Sequence, residues 1–364
     1  MRPHALRPCC TILPPHVMKH LAGSAQRRHR DAALDTLRVT ERLRGMRMAV
    51  ADFLRAVSRG GLHRGVYDAR HAERLPGALV REEGARRTGD SAVDQAYDGL
   101  GATYRFYEEV LGRDSLDGHG LGLDASVHYG RSYMNAFWDG RQMVFGDGDG
   151  EVFGPFTRQL DIVGHELSHG VIAYEAAFDY QDQPGALNES FADVLGSLVL
   201  QYQRKESARE ASWLIGKGLL VKYPRQALRS LKAPGTAYDN PLLGKDPQPA
   251  HFEDYRPRDH PDDNGGVHVF SGIPNHAFYL AAMKLGGNAW EKAGRAWYLA
   301  LTDLLGRQAQ FSDAALATVT AAVRLFGAPA GKLVREAWDE VGVAPSTSQA
   351  LARRTRARRP RRVA

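Results

Sequence analysis

The chain has 364 residues, 43% hydrophobic and 25% charged, which describes a globular protein with room for two domains. No run approaches the roughly 18 consecutive apolar residues of a membrane-spanning helix, and the adjacent Cys9 and Cys10, its only cysteines, are too close in sequence to staple the fold. The net charge of +6 is uneven: residues 1–64 carry 13 Lys+Arg against 4 Asp+Glu, 346–364 carry 7 Arg and no acid, and 65–345 carry 28 basic against 38 acidic residues.

A basic N-terminal segment can therefore dock electrostatically on an acidic body. Residues 1–60 form the first expected domain. The opening "MRPHALRPCCTILPPHVMKHLAG" has no sustained apolar core, because Pro14 and Pro15 interrupt it, so it does not read as a secretory signal peptide. From 12 to 57 the chain reads as basic and helical, with Leu and Val recurring at three- and four-residue steps. "SRGGLHRG" (Ser58 to Gly65) is a break and a plausible cleavage point. Residues 61–157 are expected to be β-rich, with "ASVHYG" and "QMVFGDGDG" as strand and turn signals around one helix, "AVDQAYDGLGATYRFYEEVLG". Residues 158–345 read as mainly helical, and the polar, Arg-rich stretch 346–364 is expected to be disordered. The fold class is thus α+β, a β-rich half followed by a helical half.

The chemistry begins at "DIVGHELSHGVIAYE". His165 and His169 are four apart and share one helical face. Two imidazoles so placed can hold one zinc ion, with Glu166 beside them to take a proton from water. Two ligands are too few for such a site. Downstream, "GALNESFADVLGSLVLQY" steps Leu187, Phe191, Val194, Leu195 and Leu198 at three and four, the pattern of a buried helix. Glu189 and Asp193 lie one turn apart within that apolar surround. A lone buried carboxylate is costly, and binding a metal compensates it. Glu189 as third ligand leaves a fourth position for water, the arrangement of a catalytic zinc. Asp193 can accept the free ring N–H of a ligating histidine.

A further cluster is "DDNGGVHVFSGIPNHAFY". The Asn264-Gly265-Gly266 turn can present His268 for chemistry, and Asp263 is placed to hold and charge its ring, as stabilisation of an oxyanion requires.

Four motifs, "NAFWDGRQMVFGDGDG", "VGHELSHGV", "GALNESFADV" and "DNGGVHVFSGIPNHAFYL", resemble those of the thermolysin-like metallopeptidases in order and spacing. The N-terminal "TILPPHVMKHLA" resembles the short propeptide of the protealysin-type branch. The resemblance spans about residues 10–345. It implies the thermolysin-like two-domain fold, a zinc helix at the bottom of the interdomain cleft, and hydrolysis of peptide bonds. It implies zinc on His165, His169 and Glu189, and Glu166 as general base. His268 and Tyr180 would stabilise the oxyanion, and Asp193 and Asp263 would orient His165 and His268. By the same resemblance Asn135 and the backbone of Ala136 would hold substrate as an added strand. Arg229 would bind the carbonyl beside the scissile bond. Phe153, Phe156, Ile162 and Leu228 would wall an apolar primed-side pocket, giving cleavage before bulky hydrophobic residues.

The chain departs from its longer relatives at the double calcium site. Only Asp161 of five acidic positions remains; the others are Leu200, Ser212, Leu214 and Lys217. A lysine and two leucines offer no side-chain ligand to a cation that takes oxygen, so no double calcium site is expected. "GDGDG" (Gly146 to Gly150) lacks calcium-loop spacing and reads as a tight turn. In the precursor either the Cys10 thiolate takes the fourth zinc position or Pro14 and Pro15 block the site sterically. The expected partners are peptide or protein substrates and the chain's own propeptide, with the protein a monomer. The terminal arginines raise an opposing reading, a nucleic-acid or membrane-surface binder, but the acidic body offers no basic stripe with interleaved aromatics. A catalytically dead relative is disfavoured because every ligand, base and oxyanion position is intact. The resemblance tilts localisation toward secretion without a recognisable signal peptide, with a cytoplasmic role as the alternative.

Overall fold

The computed structural model describes residues 11–50 and 60–347, the side chains of 41–50 excepted. Cys10, the cleavage region just before Gly60 and the arginine tail lie outside these residues. The described residues group into two compact units.

The first unit runs to Gly170 and includes Leu214–Arg229 and Thr236–Asp246. It opens with α1 (Pro15–Ala22) and α2 (Arg27–Val50). The helical stretch expected from residue 12 begins only at Pro15. Thr11 makes an antiparallel bridge to Phe137, and the chain bends at Ile12 and Leu13 before α1. The reason is local: a residue before proline is driven out of the helical region, whereas proline itself is welcome at the first helical position, and Pro15 starts α1 with Pro14 as its N-cap.

A five-stranded sheet follows, ordered β2-β1-β3-β5-β4, from β1 (Arg64–Asp68), β2 (Ala78–Glu82), β3 (Leu123–Val127), β4 (Ala136–Trp138) and β5 (Gln142–Phe145). Strands β1, β3 and β5 run parallel to one another, and β4 pairs antiparallel with β5 at the edge. The expected helix is α3 (Ser91–Leu111), capped by Asp90, whose side chain accepts from the Ala92 and Val93 amides. Helix α2 docks beside the sheet through Val39, which packs with Tyr129, Tyr133, Phe137 and Val144 in a buried cluster. Its threonines add polar contacts: Thr36 Oγ1 accepts from the Met134 amide at 3.1 Å, and Thr40 Oγ1 meets Tyr133 Oη at 3.2 Å. The Gly146–Gly150 segment, expected as a tight turn, is an irregular loop whose bend falls at Gly150–Val152. Gly148 and Gly150 both take left-handed φ of +72°, and Asp149 Oδ1 accepts from the Glu151, Val152 and Phe153 amides. Helix α4 (Leu160–Tyr174) follows, carrying the paired histidines.

The second unit is helical: α5 (Asp182–Arg204), α6 (Val267–Phe270), α7 (Gly272–Leu285), α8 (Ala293–Leu299), α9 (Phe311–Phe326) and α10 (Ala328–Glu340). Helix α5 is buried over most of its length, and Trp297 stacks on Trp338 within the core. Among the described residues no helix is long and apolar enough to cross a membrane.

Candidate metal centre and active site

Helix α4 packs closely because a small residue stands at two of its contacts, one on α4 itself and one on α3. A Cβ on Gly170 would meet Leu116 Cδ1 at 2.8 Å, and Gly99 of α3 receives Val163 in the same way. Close packing brings Tyr107 Oη to 2.7 Å from Ser168 Oγ, whose hydroxyl also donates to the Gly164 carbonyl. His165 and His169 are buried on this helix. Their rings stand perpendicular, and their Nε2 atoms lie 3.0 Å apart. One ligand atom each from His165, His169 and Glu189 lies within 4.8 Å of the others.

This geometry fits zinc. Two nitrogens each at 2.0–2.1 Å from a tetrahedral ion lie roughly 3.3 Å apart, close to the separation observed. The donor set of two imidazoles and one carboxylate is that of a hydrolytic zinc site with a position open. Glu166, one residue beyond His165, is fully buried, and its Oε2 accepts from the Trp138 amide of β4 at 3.0 Å. The sequence reading missed Trp138 as the anchor of this carboxylate, because a main-chain donor has no residue signature.

A second constellation surrounds Glu189. Tyr180 donates a short hydrogen bond to Glu189 Oε1, and its Oη lies 3.5 Å from His268 Nε2. His268 Nε2 is 3.6 Å from Glu189 Oε2. Three successive residues in left-handed conformation, Asn264, Gly265 and Gly266, turn the chain into α6. A Cβ on Gly265 would meet the Asp182 carboxylate at 2.0 Å, so this turn requires glycine there. Asp263 then accepts twice, from the His268 amide at 3.0 Å and from His268 Nδ1 at 2.6 Å. The two bonds hold the ring in one orientation, with Nε2 directed at Tyr180 and Glu189. Asp193, fully buried on α5, accepts from Asn275 Nδ2 at 2.9 Å.

The residues expected to bind substrate meet the chain's own N-terminal segment. The Ile12 amide donates to the Ala136 carbonyl at 3.2 Å, and the Leu13 amide donates to Asn135 Oδ1 at 3.1 Å. Arg229 Nη1 donates to the Ile12 carbonyl at 2.9 Å. Thr11–Leu13 thus lie along the free edge of β4. Of the apolar wall residues, Phe153 and Phe156 pack ring to ring at 6.0 Å. Ile162 and Leu228 both close on Gly216, whose missing Cβ leaves room for them. Asp161 Oδ2 accepts from the Gly216 amide at 2.7 Å, which anchors that loop.

Elsewhere, outside the expected site, His128 bridges Asp147 through Nδ1 and Asp90 through Nε2. Those two carboxylates, Asp147 first, push its pKa up to about 9. With His71 it forms the other group of potential metal ligands among the described residues.

The fold, the buried pair of histidines with a carboxylate, and the order of motifs define a metallopeptidase of the thermolysin family, to which the chain belongs. The model of the thermolysin metallopeptidase catalytic domain matches residues 36–173, and that of the alpha-helical domain matches 176–343. Within the family the chain falls in the protealysin branch. It is similar to the solved precursor of protealysin, a metalloproteinase from Serratia proteamaculans, at 49% identity and a TM-score of 0.84, covering 92% of this chain and 100% of that one. Protease PrtS of Photorhabdus sp. (strain Az29) is 50% identical over 341 residues, 91% of each chain. The extracellular metalloprotease of Pectobacterium carotovorum subsp. carotovorum is 46% identical over 339 residues, 93% of this chain and 97% of the relative.

Proposed function

We propose that this metallopeptidase is a zinc endopeptidase made as an inactive precursor that removes its own N-terminal segment. The observation that carries the reading is the convergence of His165, His169 and Glu189, with Glu166 buried beside them. These three side chains would hold one zinc ion, which when bound acidifies water toward a pKa of about 7 and polarises the scissile carbonyl. Glu166, held by the Trp138 amide, accepts the proton of the attacking water and delivers it to the leaving amine. His268, oriented by Asp263, and Tyr180 donate to the developing oxyanion, an effect worth about 2.7–4 kcal/mol per donor. Asp193 orients the ring of His165. No covalent intermediate is required.

Substrate adds as a strand to the edge of β4, gripped by Asn135, the Ala136 backbone and Arg229. Phe153, Phe156, Ile162 and Leu228 select a bulky hydrophobic side chain on the primed side. Ile12–Leu13 occupying these same hydrogen bonds supports the precursor reading: the N-terminal segment blocks the position substrate needs, with Pro14 and Pro15 closing it off. Cys10 is not required for that block. Asp161, hydrogen-bonded to the Gly216 amide and without acidic neighbours at positions 200, 212, 214 and 217, supports a protein that takes no double calcium ion. The extracellular relative named above supports release from the cell, and the protein acts as a monomer on peptide substrates.

The test is intact mass spectrometry of purified precursor, wild type beside Glu166→Ala, with zinc quantified on both. The expected outcome is that wild type sheds a segment ending between about residues 50 and 66, while the variant holds one zinc and stays whole. Absence of zinc from both overturns the reading.

A further inference from the structure

We propose that His71, His128 and Asp147 form a second metal site, open to solvent and suited to a divalent transition ion such as Zn²⁺, Cu²⁺ or Ni²⁺, separate from the His165, His169 and Glu189 centre. Its basis is topological. Strands β1, β3 and β5 are adjacent and parallel, so their C-terminal ends lie side by side, the end of a parallel sheet where ligands are commonly bound. His71 follows β1 by three residues, His128 directly follows β3, and Asp147 lies two residues past β5. One ligand atom from each falls within 4.8 Å of the others. His128 Nδ1 is 2.9 Å and His71 Nδ1 3.6 Å from the same oxygen, Asp147 Oδ2. Two imidazoles and a carboxylate suit zinc, copper or nickel, whereas calcium and magnesium take oxygen sets. The His71 side chain is 54% exposed, so an ion has a route in and water can complete its coordination.

The surroundings are built as a ligand's surroundings are. The far nitrogen of His128, Nε2, lies 3.1 Å from Asp90 Oδ2. A ligating histidine usually donates its other ring N–H to a carboxylate, which fixes the tautomer and directs the free lone pair at the metal. Asp90 is immobilised in turn because its Oδ1 caps α3. Both histidines hold left-handed backbone, φ +57° at His71 and +53° at His128, a conformation that residues other than glycine and asparagine adopt at a cost. The His71 amide donates to the His128 carbonyl at 2.8 Å and locks the two loops together. Asp147 is carried by the Gly146–Gly150 loop that leaves β5.

The test uses the full-length, zinc-loaded protein, titrated calorimetrically with further Zn²⁺ and, separately, with Cu²⁺ followed by electron paramagnetic resonance. The expected result is one additional equivalent of zinc and a copper spectrum with coupling to two nitrogens. Asp90→Asn keeps a good helix cap yet is expected to weaken the second equivalent by about 10- to 100-fold. His71→Asn tolerates the left-handed backbone and is expected to abolish it and leave a single coupled nitrogen, with the first zinc retained. Melting curves recorded in chelator establish that each variant is folded. A stoichiometry of one at saturating free zinc overturns the proposal and leaves His128 as an imidazolium bridging two carboxylates. So does a second equivalent that survives both His71→Asn and Asp147→Asn, which assigns it to histidines elsewhere on the surface.

Discussion

Replacing Ile12 by alanine separates the side-chain contribution to self-blockade from the main-chain one. Ile12 is fully buried. Its amide and carbonyl engage Ala136 and Arg229, and both bonds survive the substitution. What is lost is the packed side chain, and truncation of a buried isoleucine to alanine costs about 2–4 kcal/mol when the site relaxes only partly. At 1.4 kcal/mol per decade this makes the open state roughly 30- to 700-fold more populated. A ligand that binds only the open state has its apparent affinity reduced by the open fraction, so it should tighten by the same factor until opening ceases to limit it. The assay is binding of a fluorescent peptide hydroxamate to full-length precursor carrying Glu166→Ala, which stays whole. Leu34, half exposed on α2, serves as the control, and Leu34→Ala should change affinity less than threefold. If Ile12→Ala tightens the ligand by less than threefold, or by no more than the control, Ile12 does not anchor the blockade and the reasoning fails.

Asp263→Asn should lower kcat by about 10- to 100-fold, the usual cost of losing an orienting carboxylate, with a smaller change in KM. The bond that orients the His268 ring is weakened while the zinc ligands are untouched, so zinc content should stay at one per chain; a loss of zinc in the variant would assign Asp263 a purely structural part. Glu151 is held below the ordinary carboxylate range, chiefly by its hydrogen bond from buried His29 and further by Arg28. A depressed carboxylate contributes above its ordinary value near 4.5, and that contribution is lost as pH falls below it. Wild type and Glu151→Gln precursors should therefore differ in ligand affinity at pH 6, with the gap starting to narrow only below 4.5 and closing as pH falls through the lowered folded-state value; a gap that shows no narrowing in acid would refute the ion-pair account. Millimolar calcium should leave the melting temperature of the zinc-loaded protein unchanged within about 1 °C, because Leu200, Leu214 and Lys217 offer no oxygen ligand; a clear upward shift would reveal a calcium site.

Much of the site could be read from residue order because its logic is periodic. His165 and His169 meet because a helix returns every 3.6 residues, and Glu189 stood out as an acid inside an apolar helical stripe. His268 was less legible by itself, since a histidine after Gly-Gly carries little signal; its two bonds to Asp263 depend on three left-handed residues that only the folded chain displays. Two features escaped for different reasons. Thr11–Leu13 share the apolar spacing of the helix that follows, and the influence of Pro14 and Pro15 on the residues before them outweighed it. The grouping of His71, His128 and Asp147 depends on which strands are neighbours, a non-local fact that spacing along the chain does not contain.

The double proline has a consequence for accuracy as well as for blockade. A chain added to a sheet edge can slide, and a one-residue slip sends every side chain to the opposite face. Proline has no N–H, so neither Pro14 nor Pro15 can donate a further bond to β4 beyond those of the Ile12 and Leu13 amides, and helix α1 begins at once. The pair works like the shoulder on a key. It halts the segment where Ile12 meets Ala136 and Arg229, so its alignment is set by a mechanical stop in the backbone rather than by preference among side chains.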